Sequence, residues 1–273
     1  MNELKTIRKK GPISIRQMLD EDIDAVLEII DGHDEDDAEE AERDYQEMGI
    51  AGQFVMLLAD QIIGVSGARR IDATDNTFKL SWTYVDEDHC GQGFGRQLLQ
   101  HLLDEIHKAN GRKIFVYVSD YIDEDGVSIY ATAMKLYQSI GFIEELKIED
   151  YYDKGESLSV LGLELKQADA DFEECVIESP KIVFQELYPV AETENTYSVS
   201  WKVKMFGNSF SPSDVKLIVN AAYDVKANLV LISFPSNFDN VAMPLFEAGF
   251  SQVGQLKDYY ENSVHEDHYA LRI

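Results

Sequence analysis

Apolar and polar positions alternate in blocks along this chain, and the period of each block names an element. Ile13-Ser14-Ile15-Arg16 alternates as a short strand. Asp20 then stands as the cap of an amphipathic helix with Ile23, Val26, Leu27 and Ile30 on one face. A strongly acidic stretch follows and predicts a second helix from about Asp36 to Met48. Phe54 to Ala59 and Ile62 to Ala68 read as a hairpin joined by Asp60-Gln61, and Phe78 to Val85 as the next strand. Leu98, Leu99, Leu102, Leu103 and Ile106 form the stripe of a helix from Gln97 to Ala109, ending near Asn110-Gly111. Ile114 to Val118 is a near-continuous apolar strand, Val127 to Ile140 a helix stopped by Gly141, and Phe142 to Asp150 with Leu158 to Leu165 an antiparallel pair.

Beyond Gln167-Ala168-Asp169-Ala170-Asp171 the pattern begins again. Ser81-Trp82 recurs as Ser200-Trp201, Ile114 to Val118 as Leu229 to Phe234, and Ala133-Met134-Lys135-Leu136-Tyr137 as Ala242-Met243-Pro244-Leu245-Phe246. Gly141-Phe142 precedes Asp150-Tyr151-Tyr152 at the spacing at which Gly249-Phe250 precedes Asp258-Tyr259-Tyr260. The second copy is shorter and lacks the helix pair at 20 to 48, so two domains are expected, 1–166 and 167–273.

Charge narrows the partners. Of 273 residues, 45% are apolar, enough for a substantial core, and 51 acidic against 24 basic side chains leave a formal charge of -27. Such a surface repels a phosphate backbone, so nucleic acid is not an expected partner. Ten positions between Asp31 and Glu47 are acidic, with Arg43 the one base, and further clusters fall at Asp86-Glu87-Asp88 and Asp123-Glu124-Asp125. Solubility or adaptation to salt explains such a surface, and so does attraction of a cationic substrate. No window approaches the roughly 18 apolar residues of a membrane span, and Met1 to Lys10 carries no apolar signal, so a cytoplasmic protein without membrane attachment is expected. Cys90 and Cys175 are too few for a disulfide framework, and no Cys/His spacing suggests a metal.

The chemistry concentrates in Cys90-Gly91-Gln92-Gly93-Phe94-Gly95-Arg96, between the strand Leu80 to Val85 and a helix. Three glycines let backbone amides approach an anion, and the helix start adds unpaired N–H groups and the positive end of its dipole. A Gly-x-Gly run also occurs as an ordinary turn, so the surrounding chain has to decide.

The element order, this loop, and Ala133, Leu136, Tyr137, Gly141 and Phe142 in a helix of the form Ala-x-x-Leu-Tyr-x-x-x-Gly-Phe together resemble the GCN5-related N-acetyltransferase (GNAT) superfamily. The likeness covers residues 13 to about 166, with a degenerate copy from about 172 to 273. It implies an α/β fold, a mixed central sheet flanked by helices, followed by a second, partial GNAT-like α/β domain. It also implies acetyl-CoA as co-substrate, held by Cys90, Gly91, Gln92, Gly93, Phe94, Gly95 and Arg96 and by Thr83, Tyr84 and Val85 of the fourth strand. Cys90 stands where the family has Arg or Gln, and Tyr130 where it has Asn. By the resemblance Tyr137 protonates the departing thiolate, and a neutral amine attacks the thioester directly. An alkylamine is mostly ammonium near pH 7, so a base is needed, with Asp86, Glu87 and His89 as candidates. Cys90 lacks an activating partner and is not expected to carry an acyl group.

The acceptor expected is a cationic primary amine: a polyamine, an amino-acid or aminoglycoside amine, or a lysine in a basic peptide. A homodimer is also compatible with the family. In the second copy, Lys202 to Pro212 keeps one glycine and brings in Phe206 and Phe210, and the tyrosine position falls on Phe246 or Leu245, neither a proton donor. That half is expected to be non-catalytic. Two rival readings remain open: a CoA-binding or regulatory protein that does not turn over, and a cation sensor or salt-adapted surface with no CoA binding.

Overall fold

A computed structural model describes residues 11–123, 126–166 and 176–273. Glu124, Asp125, the Gln167 to Asp171 stretch, Cys175 and the first ten residues lie outside them. The chain divides into two compact units, one holding residues up to Ile71 with Phe78–Gly111, the other Asp72–Thr77 with Arg112–Ile273. Both are mixed α/β structures.

The first unit contains β1 (Ile13–Gln17), α1 (Ile23–Asp31), α2 (Glu35–Met48), β2 (Gln53–Leu58), β3 (Gln61–Arg70), nearly all of β4 (Thr77–Val85) and α3 (Phe94–Lys108). The strands form an antiparallel sheet in sequence order. Met18, Val26, Ile30, Ala41, Tyr45, Val55 and Val65 make one core with α1 and α2, whereas Met56, Leu58, Ile63, Phe94 and Leu98 make another with α3. Each fully buried aliphatic side chain in these layers contributes roughly 1.5–3 kcal/mol. Ile63 reaches the α3 face although Val65, two positions on, faces α1 and α2. The cause is a bulge: Met56 and Leu57 are adjacent in β2 but pair with Gly64 and Ile62.

The acidic helix α2 forms because its charges suit its ends. Asp34 Oδ1 accepts from the N–H groups of Asp36 and Asp37 at 3.0 and 3.1 Å, and Glu35, Asp36 and Asp37 occupy the first turn. Arg69, from β3, donates to the carbonyl of Gly49 at 2.9 Å, just past the helix C-terminus. At α1 the expected cap is replaced. Asp20 opens a short 3-10 turn, and Asp22 Oδ2 accepts from Leu19 N–H at 2.8 Å while Arg16 holds the same carboxylate through two hydrogen bonds, 2.6 and 2.9 Å.

The second unit contains β5 (Lys113–Ser119), α4 (Ala131–Ile140), β6 (Ile143–Asp153), β7 (Glu156–Glu164), β8 (Ile182–Pro189), β9 (Thr196–Val203), α5 (Pro212–Asp224), β10 (Leu229–Pro235), α6 (Ala242–Glu247), β11 (Ser251–Glu261) and β12 (Val264–Arg272). Its strands run β5-β7-β6-β11-β12-β10-β9-β8, antiparallel except for β9 beside β10. Helix α4 begins at Ala131 instead of Val127. Val127 N–H donates to Asp123 Oδ1 at 2.7 Å, and the Asp123 N–H donates back to the Val127 carbonyl at 2.9 Å, a closed turn incompatible with a helix there. Pro244 falls in the first turn of α6, where its missing N–H costs nothing.

Candidate active site

The last four residues of β4 and the turn into α3 carry most of the candidate side chains. Ser66 pairs with Thr83 but Ala68 with Leu80, so β4 holds one extra residue beside Ser81-Trp82 and is twisted locally. Beyond the bulge, Thr83, Tyr84 and Val85 continue the strand to its end. The amide of Asp86 donates to the carbonyl of the bulged residue Ile63 at 3.0 Å, which ties the turn to the sheet.

A 3-10 turn, Glu87–His89, comes next, with Asp86 Oδ1 accepting from Asp88 N–H at 3.1 Å. The same oxygen lies 2.7 Å from His89 Nδ1. Of the three candidate bases, Asp86 therefore orients and His89 is oriented, whereas Glu87 is exposed. Cys90 Sγ donates to the Val85 carbonyl at 3.4 Å, and burial, then Glu87 and Asp86, push its thiol up. That is the wrong direction for a thiolate nucleophile.

Gly91 and Gly93 have φ of +71° and +85°, the left-handed region, and a Cβ built on either meets no atom within 4 Å. Glycine is demanded here by backbone conformation, and the space above the turn is open. Gly93 is the residue before α3, whose first turn carries Arg96 and no acid. The first N–H groups of a helix lack intrahelical acceptors, and here that first turn, Phe94, Gly95 and Arg96, directly follows the two glycines. This is a geometry that fits a pyrophosphate.

Four side chains that sequence reading did not single out complete this face of the first unit. His33 Nε2 lies 2.8 Å from the Val85 carbonyl, and its ring lies 5.4 Å from that of Tyr84. Tyr84 Oη donates to Asp37, and Trp82 Nε1 donates to Asp44 Oδ2 at 3.1 Å. Asp37 and Asp44 are thereby fixed against β4 from α2. Only the acidity of the segment hinted at them, since a contact spanning 38 or 47 residues leaves no local pattern.

Tyr137 belongs to the second unit. It is buried in α4, with its ring 5.6 Å from that of Phe142. Its chain position four residues before Gly141 matches that of Leu245 before Gly249, and Leu245 is fully buried. In the same unit Asp150 is occupied within its own hairpin and by Arg272, at 2.8 and 3.0 Å.

After β9 no glycine cradle recurs. Phe210 enters the core, Phe206 stands in solvent, and Asp214 Oδ2 accepts from Ser211 N–H at 3.0 Å at the start of α5. Strands β9 and β10 pair only from Leu229 to Leu231; beyond that point Trp201 Nε1 donates to the Ser233 carbonyl at 2.9 Å, its ring 4.9 Å from Phe234 and 5.8 Å from Phe238. Among the described residues no group of three His, Cys, Asp or Glu side chains is arranged to hold a metal ion, and no helix is long and apolar enough to cross a membrane.

Residues 50–144 match the family model described as Acetyltransferase (GNAT) domain. A [Ribosomal protein bS18]-alanine N-acetyltransferase of Escherichia coli K12 is 37% identical over 68 residues, 25% of this chain and 40% of that protein; the chain thus spans less than half of this curated relative. Among solved structures, the ribosomal-protein-S18-alanine N-acetyltransferase from Escherichia coli gives a TM-score of 0.48 at 21% identity, over 60% of this chain and 100% of that one. An N-acetyltransferase from Staphylococcus aureus Mu50 gives 0.46 at 22%, over 57% and 100%.

Proposed function

We propose, for a chain whose residues 50–144 match the GNAT acetyltransferase domain model, that the protein moves an acetyl group from acetyl-CoA directly to a primary amine of a cationic acceptor. The observation that carries this reading is the turn whose Gly91 and Gly93 have open space above them, leading into the acid-free first turn of α3. Oriented amides and a helix dipole there suit two linked phosphoryl groups. The end of β4, Thr83 to Val85, takes the pantetheine arm, and an amide of that strand polarises the thioester carbonyl.

The amine must lose a proton before or during attack. His89 is the base that the geometry favours, because Asp86 fixes its Nδ1 and leaves Nε2 for a proton. Tyr137 serves as the acid for the departing thiolate, a role carried over from the family motif. Asp37 and Asp44 beside β4, with Asp86, Glu87 and Asp88 at its end, make the acceptor side electronegative and favour a polyamine, an aminoglycoside or a basic polypeptide. The Escherichia coli relative is named for an alanine of a ribosomal protein, a polypeptide acceptor. Residues 176–273 are read as a degenerate, non-catalytic copy, since Trp201 fills the gap between β9 and β10.

Calorimetric titration with acetyl-CoA, followed by thiol release against a panel of amines, tests the reading. Binding together with turnover on cationic amines is expected. Binding without turnover on any amine supports a regulatory protein, and no binding removes the proposal.

A further inference from the structure

The two hairpins of the second unit are alike in detail. In β6–β7 the register slips between Glu144 and Leu146 and again between Ile148 and Asp153; in β11–β12 it slips between Gln252 and Gly254 and between Leu256 and Glu261, at corresponding positions. Asp150 and Asp258 have φ of +50° and +53°, and their Oδ1 atoms accept from Gly155 and Ser263 N–H at 2.8 and 2.7 Å. The rings of Tyr151 and Tyr152 lie 4.8 Å apart at 74°, those of Tyr259 and Tyr260 5.0 Å apart at 75°.

The contacts between the hairpins are exchanged in the same way. Thr77 Oγ1 donates to the Tyr259 carbonyl at 2.7 Å, and Thr196 Oγ1 donates to the Tyr151 carbonyl at 2.7 Å. Asp75 N–H donates to Tyr260 O, and Glu194 N–H to Tyr152 O, both at 2.6 Å. These four hydrogen bonds fall into two pairs, each returned by the counterpart residue; Lys257 N–H to Glu145 Oε2 at 2.7 Å and Arg272 to Asp150 at 3.0 Å are contacts that the two sequences do not share. Such reciprocity defines an isologous, two-fold interface.

Leu146 and Gly254 are counterparts, and they pair with each other across β6 and β11, so this residue pair lies on the axis. Leu146 is buried, and a Cβ on Gly254 would lie 2.5 Å from its Cδ1 and 3.4 Å from its Cα. Two leucines would overfill this site, and two glycines would leave a void.

We infer that, within the second unit, Asp72–Thr77 with residues 112–166 on one side and residues 176–273 on the other hold two copies related by a pseudo-two-fold axis through Leu146 and Gly254. The carboxy-terminal copy takes the place of the second subunit of a symmetric dimer. Leu146 seated over Gly254 commits each copy to the other and excludes a second chain from this edge. The inference goes beyond the catalytic reading and stands without it, because none of its contacts involves the glycine turn.

A swap tests it. Leu146→Gly and Gly254→Leu should each lower the melting temperature of the full chain by roughly 5–10 °C, from a void and from overpacking. At an axis the two positions are interchangeable, so the double swap should recover more than half of the summed loss. A double swap that melts at or below the sum of the single losses overturns the proposal. Should Gly254→Leu fail to fold, Thr77→Val and Thr196→Val serve instead. Both threonines are buried, and each change deletes one of the two exchanged side-chain hydrogen bonds. A fall of at least about 2 °C in both, larger for Thr77→Val because Arg112 Nη2 also donates to Thr77 Oγ1 at 2.9 Å, supports the axis, and a fall in one without the other overturns it.

Discussion

Nδ1 of His89 lies 2.7 Å from Oδ1 of Asp86, three residues earlier in the turn between β4 and α3. An imidazole held this way keeps one tautomer and presents Nε2 as a proton acceptor. His89→Gln is expected to lower kcat about 10²–10³-fold, and Asp86→Asn about tenfold, with acetyl-CoA affinity nearly unchanged. Steady-state thiol release measures both. A His89→Gln enzyme with the parent kcat would leave the base to Glu87 or water.

Gly93→Ala separates conformation from space. With φ at +85°, an alanine there costs about 1–2 kcal/mol of backbone strain. Its methyl also enters the open space above the turn before α3, so acetyl-CoA should bind at least about tenfold more weakly by calorimetry. A variant that loses stability but keeps its affinity would move the phosphates elsewhere.

Tyr137→Phe removes one hydroxyl from a buried ring that keeps its contact with Phe142. An acid role predicts a 10–100-fold fall in kcat and a melting temperature within about 2 °C of the parent. A loss of stability with unchanged kcat would make Tyr137 a packing residue.

What the sequence disclosed followed from local period. The stripes of α1 and α3, the hairpin β2–β3, and the glycine turn all declare themselves within a few residues, because side-chain direction repeats at 3.6 or 2. Interactions between distant segments did not. His33 reads as one more polar residue in an acidic run until α1 brings it to the Val85 carbonyl. The bulge at Ser81-Trp82 inserts a residue without interrupting the apolar pattern, and the Asp123 to Val127 turn shortens α4 through a side-chain acceptor that periodicity ignores. Trp201 repeats Trp82 in sequence yet points its indole N–H at Ser233 instead of at a carboxylate. The recurring residue spacing is visible in the sequence, but the hydrogen bonds exchanged between the two hairpins are not.

Asp22 gives a pH signature. The Arg16 guanidinium, chiefly through hydrogen bonds, holds this buried carboxyl below the usual range. A depressed acid adds stability above its unfolded pKa of about 3.9, and that stability is lost as pH falls through the folded value. Asp22→Asn should therefore cost about 1–3 kcal/mol at pH 7, with the gap to the parent narrowing as pH falls below the unfolded pKa. A gap that stays constant from pH 7 to pH 2 would show that the charge plays no part.

Acidic groups along β4 predict a salt-dependent acceptor step. Between about 20 and 200 mM salt, kcat/KM for a diamine should fall several-fold while that for a singly charged amine falls less. Parallel curves would dissociate acceptor choice from the charge of α2.

The two indoles give the molecule separate optical reporters. Trp82 sits on the strand that leads to the glycine turn, with a carboxylate at its N–H; Trp201 is enclosed by phenylalanines in the other unit. Replacing Trp201 by Phe leaves one emitter, so any emission change on adding a nucleotide reports from β4 alone. Trp82→Phe leaves the complementary emitter, which follows the unfolding of the second unit.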